Sequence, residues 1–174
     1  VNPTSPPAPS AAGLDITLRT GVGEGRTHLS AFDHALLRAG VGNYNLITLS
    51  SVIPPASRLH HVDDGAVAPV EGRHGDRLFC VLAAAYADQP GDTGWAGLGW
   101  AVDDETGAGL FVEHTATSEK ALQELIRSSL EDLVAHRGGG FERLEMLTVS
   151  ATCTELPACA LAVAAYETVP WSVG

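Results

Sequence analysis

Aromatic residues make up only 6% of this sequence, and lysine occurs once, at position 120. A core short of rings has to be built from small and branched aliphatic side chains, here Ala, Val and Leu. The shortage of cations leaves ten Lys and Arg against twenty-one Asp and Glu, a formal net charge of −11. A surface that negative repels phosphate, which argues against nucleic acid or a membrane as partner and favours small amines and basic amino acids. Long apolar runs are missing too, and none approaches the ~20 residues that cross a bilayer. The opening stretch VNPTSPPAPSAAG has neither the basic nor the apolar segment of a signal peptide. Rich in Pro, Ser and Ala, this 1–13 tail is expected to be disordered. Cysteine is limited to Cys80, Cys153 and Cys159, an odd set inside apolar runs. Buried thiols in a reducing, cytoplasmic setting are the expectation, ahead of a Cys153–Cys159 disulfide.

What is present suits one globular domain over residues 14–174, with 45% apolar residues and a mean hydropathy of +0.10. LDITLRT (14–20) alternates as a strand, and GVGEGR after it reads as a glycine turn. LSAFDHALLRAG reads as a helix in which Ser30 and Asp33 form a capping-box pattern. YNLITLSSV is a second strand, and the segment from Arg58 to Arg77 is loop-like. LFCVLAAAYA (78–87) is apolar enough to be buried on both faces. GLGWAV and GLFVEH flank a turn as a hairpin. SEKALQELIRSSLEDLVAHRGGG is the one long amphipathic helix, capped by Thr117 or Ser118, and two apolar strands finish the chain. Two helices and about seven strands in this order predict an α+β layered sandwich.

Several kinds of chemistry compete. His60-His61 followed by Asp63-Asp64 resembles a metal cluster, but adjacent residues of an extended chain point to opposite sides, so a solvated loop is the simpler reading. No GxSxG elbow supports a serine hydrolase. Asp33 is explained by capping alone. Glu113 ends an apolar strand, so it either emerges into solvent or sits in a pocket, where burial raises a carboxylate's pKa and suits it to deliver a proton. Asn45 lies six residues before Ser51, on the same side if the strand is regular. Two serines before Pro54-Pro55 place one hydroxyl on each face of a strand end.

The string GEGRTHLSAFDHALLRAGVGNYNLITLSSVIPP (23–55) resembles the signature of pyruvoyl-dependent arginine decarboxylases: a helix, then GxGNxNL, then Ser-Ser and Pro-Pro around a self-cleavage site. The resemblance runs more weakly through GLFVEH, the long helix and the last alanine-rich strand. It implies a four-layer αββα sandwich of largely antiparallel sheets, assembled as a homotrimer or a multiple of trimers with each site shared between neighbours. It also implies self-cleavage between Ser50 and Ser51, leaving a covalent pyruvoyl group derived from Ser51. The carbonyls of that group serve as the electron sink when carbon dioxide leaves an amino acid. By the same resemblance Ser51, Glu113 and Asn45 are catalytic, with Glu113 the proton donor and Asn45 the donor to a developing oxyanion. Leu29, Asp33, Gly42, Tyr44 and Val52 contact substrate, Asp33 through a guanidinium. Tyr44 stands where many members carry a small aliphatic residue, so the expected substrate is arginine or a related basic amino acid. An unprocessed, non-catalytic relative and a serine hydrolase are the alternatives.

Overall fold

The computed structural model describes residues 13–62, 69–141 and 143–171. Residues 1–12 of the N-terminal tail, and Asp63 and Asp64, lie outside the described residues. Nine strands and two helices form among the rest: β1 (Asp15–Glu24), α1 (His28–Arg38), β2 (Asn45–Thr48), β3 (Val52–Ile53), β4 (Arg58–His61), β5 (Arg77–Ala87), β6 (Thr93–Val102), β7 (Gly109–Ala116), α2 (Glu119–His136), β8 (Arg143–Thr152) and β9 (Ala158–Val169). They make a five-stranded sheet in the order β2-β5-β9-β1-β4 and a four-stranded sheet in the order β3-β7-β6-β8. All pairings are antiparallel except β1 with β4 and β2 with β5.

The layering follows from which faces are apolar. Along β9, Leu161, Val163 and Ala165 pack toward α1, while Ala162, Ala164 and Tyr166 pack against the other sheet. A strand covered on both faces needs no polar alternation, hence the alanine-rich run. On the far side Leu122, Ile126 and Leu130 of α2 are fully buried against the four-stranded sheet, while Leu125 is exposed. The result is α1, sheet, sheet, α2, an αββα sandwich of largely antiparallel sheets. Cys80, Cys153 and Cys159 are free thiols inside it. Burial pushes Cys80 and Cys159 up to about 11.

Several expectations change, each for a physical reason. GVGE continues β1 instead of turning, because a Cβ on Gly21 would stand 2.1 Å from the Ala35 carbonyl oxygen and one on Gly23 2.3 Å from the Ala35 nitrogen. Those glycines let α1 lie directly on the strand. The α1 cap is Thr27, whose hydroxyl accepts from Ser30 N–H at 3.1 Å while Ser30 Oγ accepts from Thr27 N–H at 3.0 Å. Asp33 is therefore mid-helix and has no capping task. RLHH is no loop but β4, parallel to β1, and His60 pairs with Asp15 at 3.1 Å. The expected single strand 44–52 is two strands, β2 in one sheet and β3 in the other.

Candidate active site around Ser51 and Glu113

The crossover between β2 and β3 is where the serine pair sits. Ser51 has φ of +67°, the left-handed region that a residue with a Cβ avoids. The conformation costs a serine on the order of 1 kcal/mol. Neighbouring strands hold it there. The Ser51 carbonyl accepts from Phe111 N–H at 2.7 Å, and one residue on the Val52 carbonyl accepts from the Tyr166 hydroxyl at 3.1 Å. Val52 then pairs with Leu110, and Ile53 is buried in the core between the sheets. Burial, followed by the charge of Glu113, raises the Tyr166 phenol far above its usual range, so it remains a donor at any ordinary pH.

The strained residue faces a carboxylate. Ser51 Oγ donates to Glu113 Oε1, and the two line a cavity of about 490 Å3 together with Ser50, His114, Ser129, Asp132 and Arg137. Beyond β3, which is only two residues long, β7 continues without that partner, and this is where the cavity opens. Inside it His114 Nε2 and Ser129 Oγ share a 2.8 Å hydrogen bond. The α2 wall is absent from the residues the sequence nominates. Its signal was legible as Ser129, Asp132, Leu133 and Arg137 at spacings of three, four and eight on one helix flank, beside the leucine stripe.

The other expected residues gather elsewhere. Leu29 and Asp33 lie exposed on the outward side of α1, opposite Ala31, Ala35 and Ala39, which are fully buried. Leu29 is 76% exposed and Leu37, one turn past Asp33, is 51% exposed. Gly42 and Tyr44 line a separate cavity of about 190 Å3 with Leu37 and His74. The Tyr44 hydroxyl donates to the Val70 carbonyl, and its ring lies where a Cβ on Gly72 would come within 2.8 Å.

Asn45 opens β2, where its N–H donates to Asp76 O at 2.8 Å and its side-chain amide donates to Gly75 O at 2.6 Å. The same-side relation expected of Asn45 and Ser51 fails, because the strand ends at Thr48 and the chain kinks at Ser51. Leu49 N–H still bonds the Cys80 carbonyl at 2.9 Å. At about 3.3 Å per residue Asn45 is roughly 13 Å of extended backbone before Leu49, beyond hydrogen-bond reach of the Ser50 carbonyl of its own chain. Among the described residues no cluster of three or more metal-ligating side chains forms. No described helix is long and apolar enough to cross a membrane.

Residues 15–169 match the family profile of pyruvoyl-dependent arginine decarboxylase. A pyruvoyl-dependent arginine decarboxylase of Thermococcus kodakarensis is 35% identical over 146 residues, 80% of this chain and 86% of the relative. One of Pyrococcus abyssi is 36% identical over 141 residues, covering 80% and 85%. One of Methanocaldococcus jannaschii is 34% identical over 155 residues, covering 86% and 87%. A solved pyruvoyl-dependent histidine decarboxylase aligns loosely, with a TM-score of 0.42 and 16% identity over 59% of this chain and 54% of its own. On the strength of the profile and the three arginine decarboxylase relatives, the chain belongs to the pyruvoyl-dependent arginine decarboxylase family.

Proposed function

We propose that this chain cleaves itself between Ser50 and Ser51 and then decarboxylates arginine or a related basic amino acid, with agmatine or the corresponding amine as product. The observation that carries the reading is the Ser51 hydroxyl bonded to Glu113 on a left-handed backbone at the mouth of a cavity. Residues held in sparsely populated backbone regions cluster at active sites.

In the first step Ser51 Oγ adds to the Ser50 carbonyl while Glu113 takes the hydroxyl proton. The C–N bond breaks, the amine is released and an ester forms. Loss of the Ser51 α-proton expels the Ser50 carboxylate and leaves a dehydroalanine, and one water replaces its nitrogen, which departs as ammonia. The balance is one water consumed and one ammonia released, with 1–50 ending in a carboxylate and 51–174 beginning with a pyruvoyl group.

The surroundings fit that group. Phe111 N–H and the Tyr166 hydroxyl fix the backbone on either side of the Ser51–Val52 peptide bond, and the cavity leaves room for an amino acid. When bound, the pyruvoyl carbonyls supply the electron sink for loss of carbon dioxide. Glu113 then stands within reach of the reacting carbon to return a proton. Asp33 supplies the acidic contact for a cationic side chain, for which a carboxylate is the natural partner. At least one sheet separates the outer face of α1 from its own Ser51 cavity, so Asp33 and Asn45 serve a neighbouring copy within a homotrimer. Exposed Leu29 and Leu37 flanking Asp33 support that assembly, because large apolar side chains on a helix's outer face gain by being covered.

Intact mass of the denatured protein tests the reading. Wild-type chain is expected as two species of about 5 and about 13 kDa, the larger reacting with a carbonyl reagent, since the pyruvoyl ketone is the cofactor this chemistry needs. Ser51→Ala is expected as one 18.1 kDa chain. A wild-type protein that stays intact on prolonged warming would instead make it an unprocessed relative.

A further inference from the structure

The chain's last described residue is joined to Asn45 through one carbonyl oxygen. Gly75 O accepts the side-chain amide of Asn45 at 2.6 Å and the indole N–H of Trp171 at 2.9 Å. Trp171 is 58% exposed, so burial of its own ring does not account for its place. It is held from the other side by Arg77, whose guanidinium carbon lies 4.6 Å from the ring centroid and whose Nη2 donates to Pro170 O at 2.9 Å. Arg77 is also the residue opposite Asn45 in the β2–β5 register. The 73–76 turn itself is tight: Gly75 N–H donates to Asn43 O at 2.7 Å, Arg73 N–H to Asp76 Oδ2 at 2.8 Å, and Gly75 has φ of +87°. Trp171 thus closes a clasp between the end of β9 and the turn on which Asn45 hangs.

We propose that Trp171 is a positioning residue for Asn45: its indole N–H fixes the Gly75 carbonyl, which in turn sets the direction of the Asn45 amide. An asparagine amide carries two N–H groups. One is committed to Gly75, and fixing that one aims the other, the donor an oxyanion needs. The inference rests on the reading of Asn45 as the oxyanion donor in a neighbouring copy's cleavage site. Its consequence is that the C-terminal segment controls the rate of self-cleavage without touching Ser51.

The test follows conversion of newly synthesised full-length chain into its two fragments by pulse-chase. The variants are Trp171→Phe, Trp171→His, Asn45→Ala, and Trp171→Phe combined with Asn45→Ala. Phenylalanine keeps a ring over Arg77 and removes only the donor. Trp171→Phe is expected to slow cleavage roughly three- to tenfold, the scale of one neutral hydrogen bond, with an unchanged melting temperature. Trp171→His, which retains a ring N–H, is expected to be faster than Trp171→Phe, and it serves as the second comparison if Trp171→Phe folds poorly. Trp171→Phe is expected to add nothing in the Asn45→Ala background, because a positioning effect vanishes with the group positioned. Wild-type rates in Trp171→Phe beside a slow Asn45→Ala, or rate losses that multiply in the double variant, would overturn the role of Trp171 and leave Asn45 standing. A wild-type rate in Asn45→Ala would remove the underlying reading as well.

Discussion

Ser51 and Asn45 are six positions apart in sequence, yet they belong to two regions built on opposite principles. Around Ser51 the backbone is left-handed, the flanking strand is two residues long, and the carbonyls of Ser51 and Val52 are each pinned from outside the segment. Around Asn45 and Asp33 the chain is regular, with a capped helix, a parallel strand pair and a tight glycine turn. The proposed function accounts for the difference. Breaking a peptide bond calls for a destabilised peptide and a nearby proton acceptor, whereas binding a cationic side chain calls only for a carboxylate on a rigid support. On the proposed function, one region reacts in its own copy, while the other presents Asp33 for recognition and Asn45 for a neighbour's cleavage site.

If that division holds, damage to Glu113 lowers turnover, damage to Asp33 weakens binding, and damage to Asn45 slows cleavage in a neighbouring copy. Glu113→Gln is expected to give the larger effect. The amide still bonds the Ser51 hydroxyl but neither takes nor returns a proton, so kcat of any processed protein falls about 10²- to 10⁴-fold with little change in KM. Full activity in this variant would remove Glu113 from the proton transfers.

Asp33→Asn is expected to raise KM for arginine about 10- to 100-fold, the scale of one charge-assisted hydrogen bond, with kcat nearly unchanged. Stability should move by no more than about 0.5 kcal/mol, because the residue is exposed and mid-helix. Unfolding curves of both proteins check this, and a large stability loss at constant KM would return Asp33 to a structural role.

Apolar periodicity located α2 and β9, since Leu122, Ile126 and Leu130 and the alternating faces of β9 each answer to one buried layer. The serine pair was legible because it breaks a strand pattern at two prolines. The cap of α1 lies three residues earlier than the Ser30–Asp33 pattern suggests, because Thr27 and Ser30 have the same spacing and satisfy each other, which places Asp33 mid-helix. GVGE looked like a turn because the sequence does not reveal that Ala35 will lie 2.1 Å from a would-be Gly21 Cβ. The split of 44–52 between two sheets was hidden as well, since apolar residues stand on both sides of Ser50-Ser51 and nothing in the sequence says that Val52 and Ile53 pair with the other sheet. The contribution of Ser129, Asp132 and Arg137 required knowing that β3 is short enough to leave a cavity against α2.

The two-region account is tested most directly by mixing its two halves. Co-expressed Asp33→Asn and Glu113→Gln chains would be assayed as mixed oligomers at arginine concentrations below KM. If each site takes Glu113 from one copy and Asp33 from the next, about one quarter of the sites in a random one-to-one mixture are intact, and activity rises well above either parent. Activity no greater than the average of the two parents would mean that Asp33 and Glu113 serve the same copy, contradicting the account.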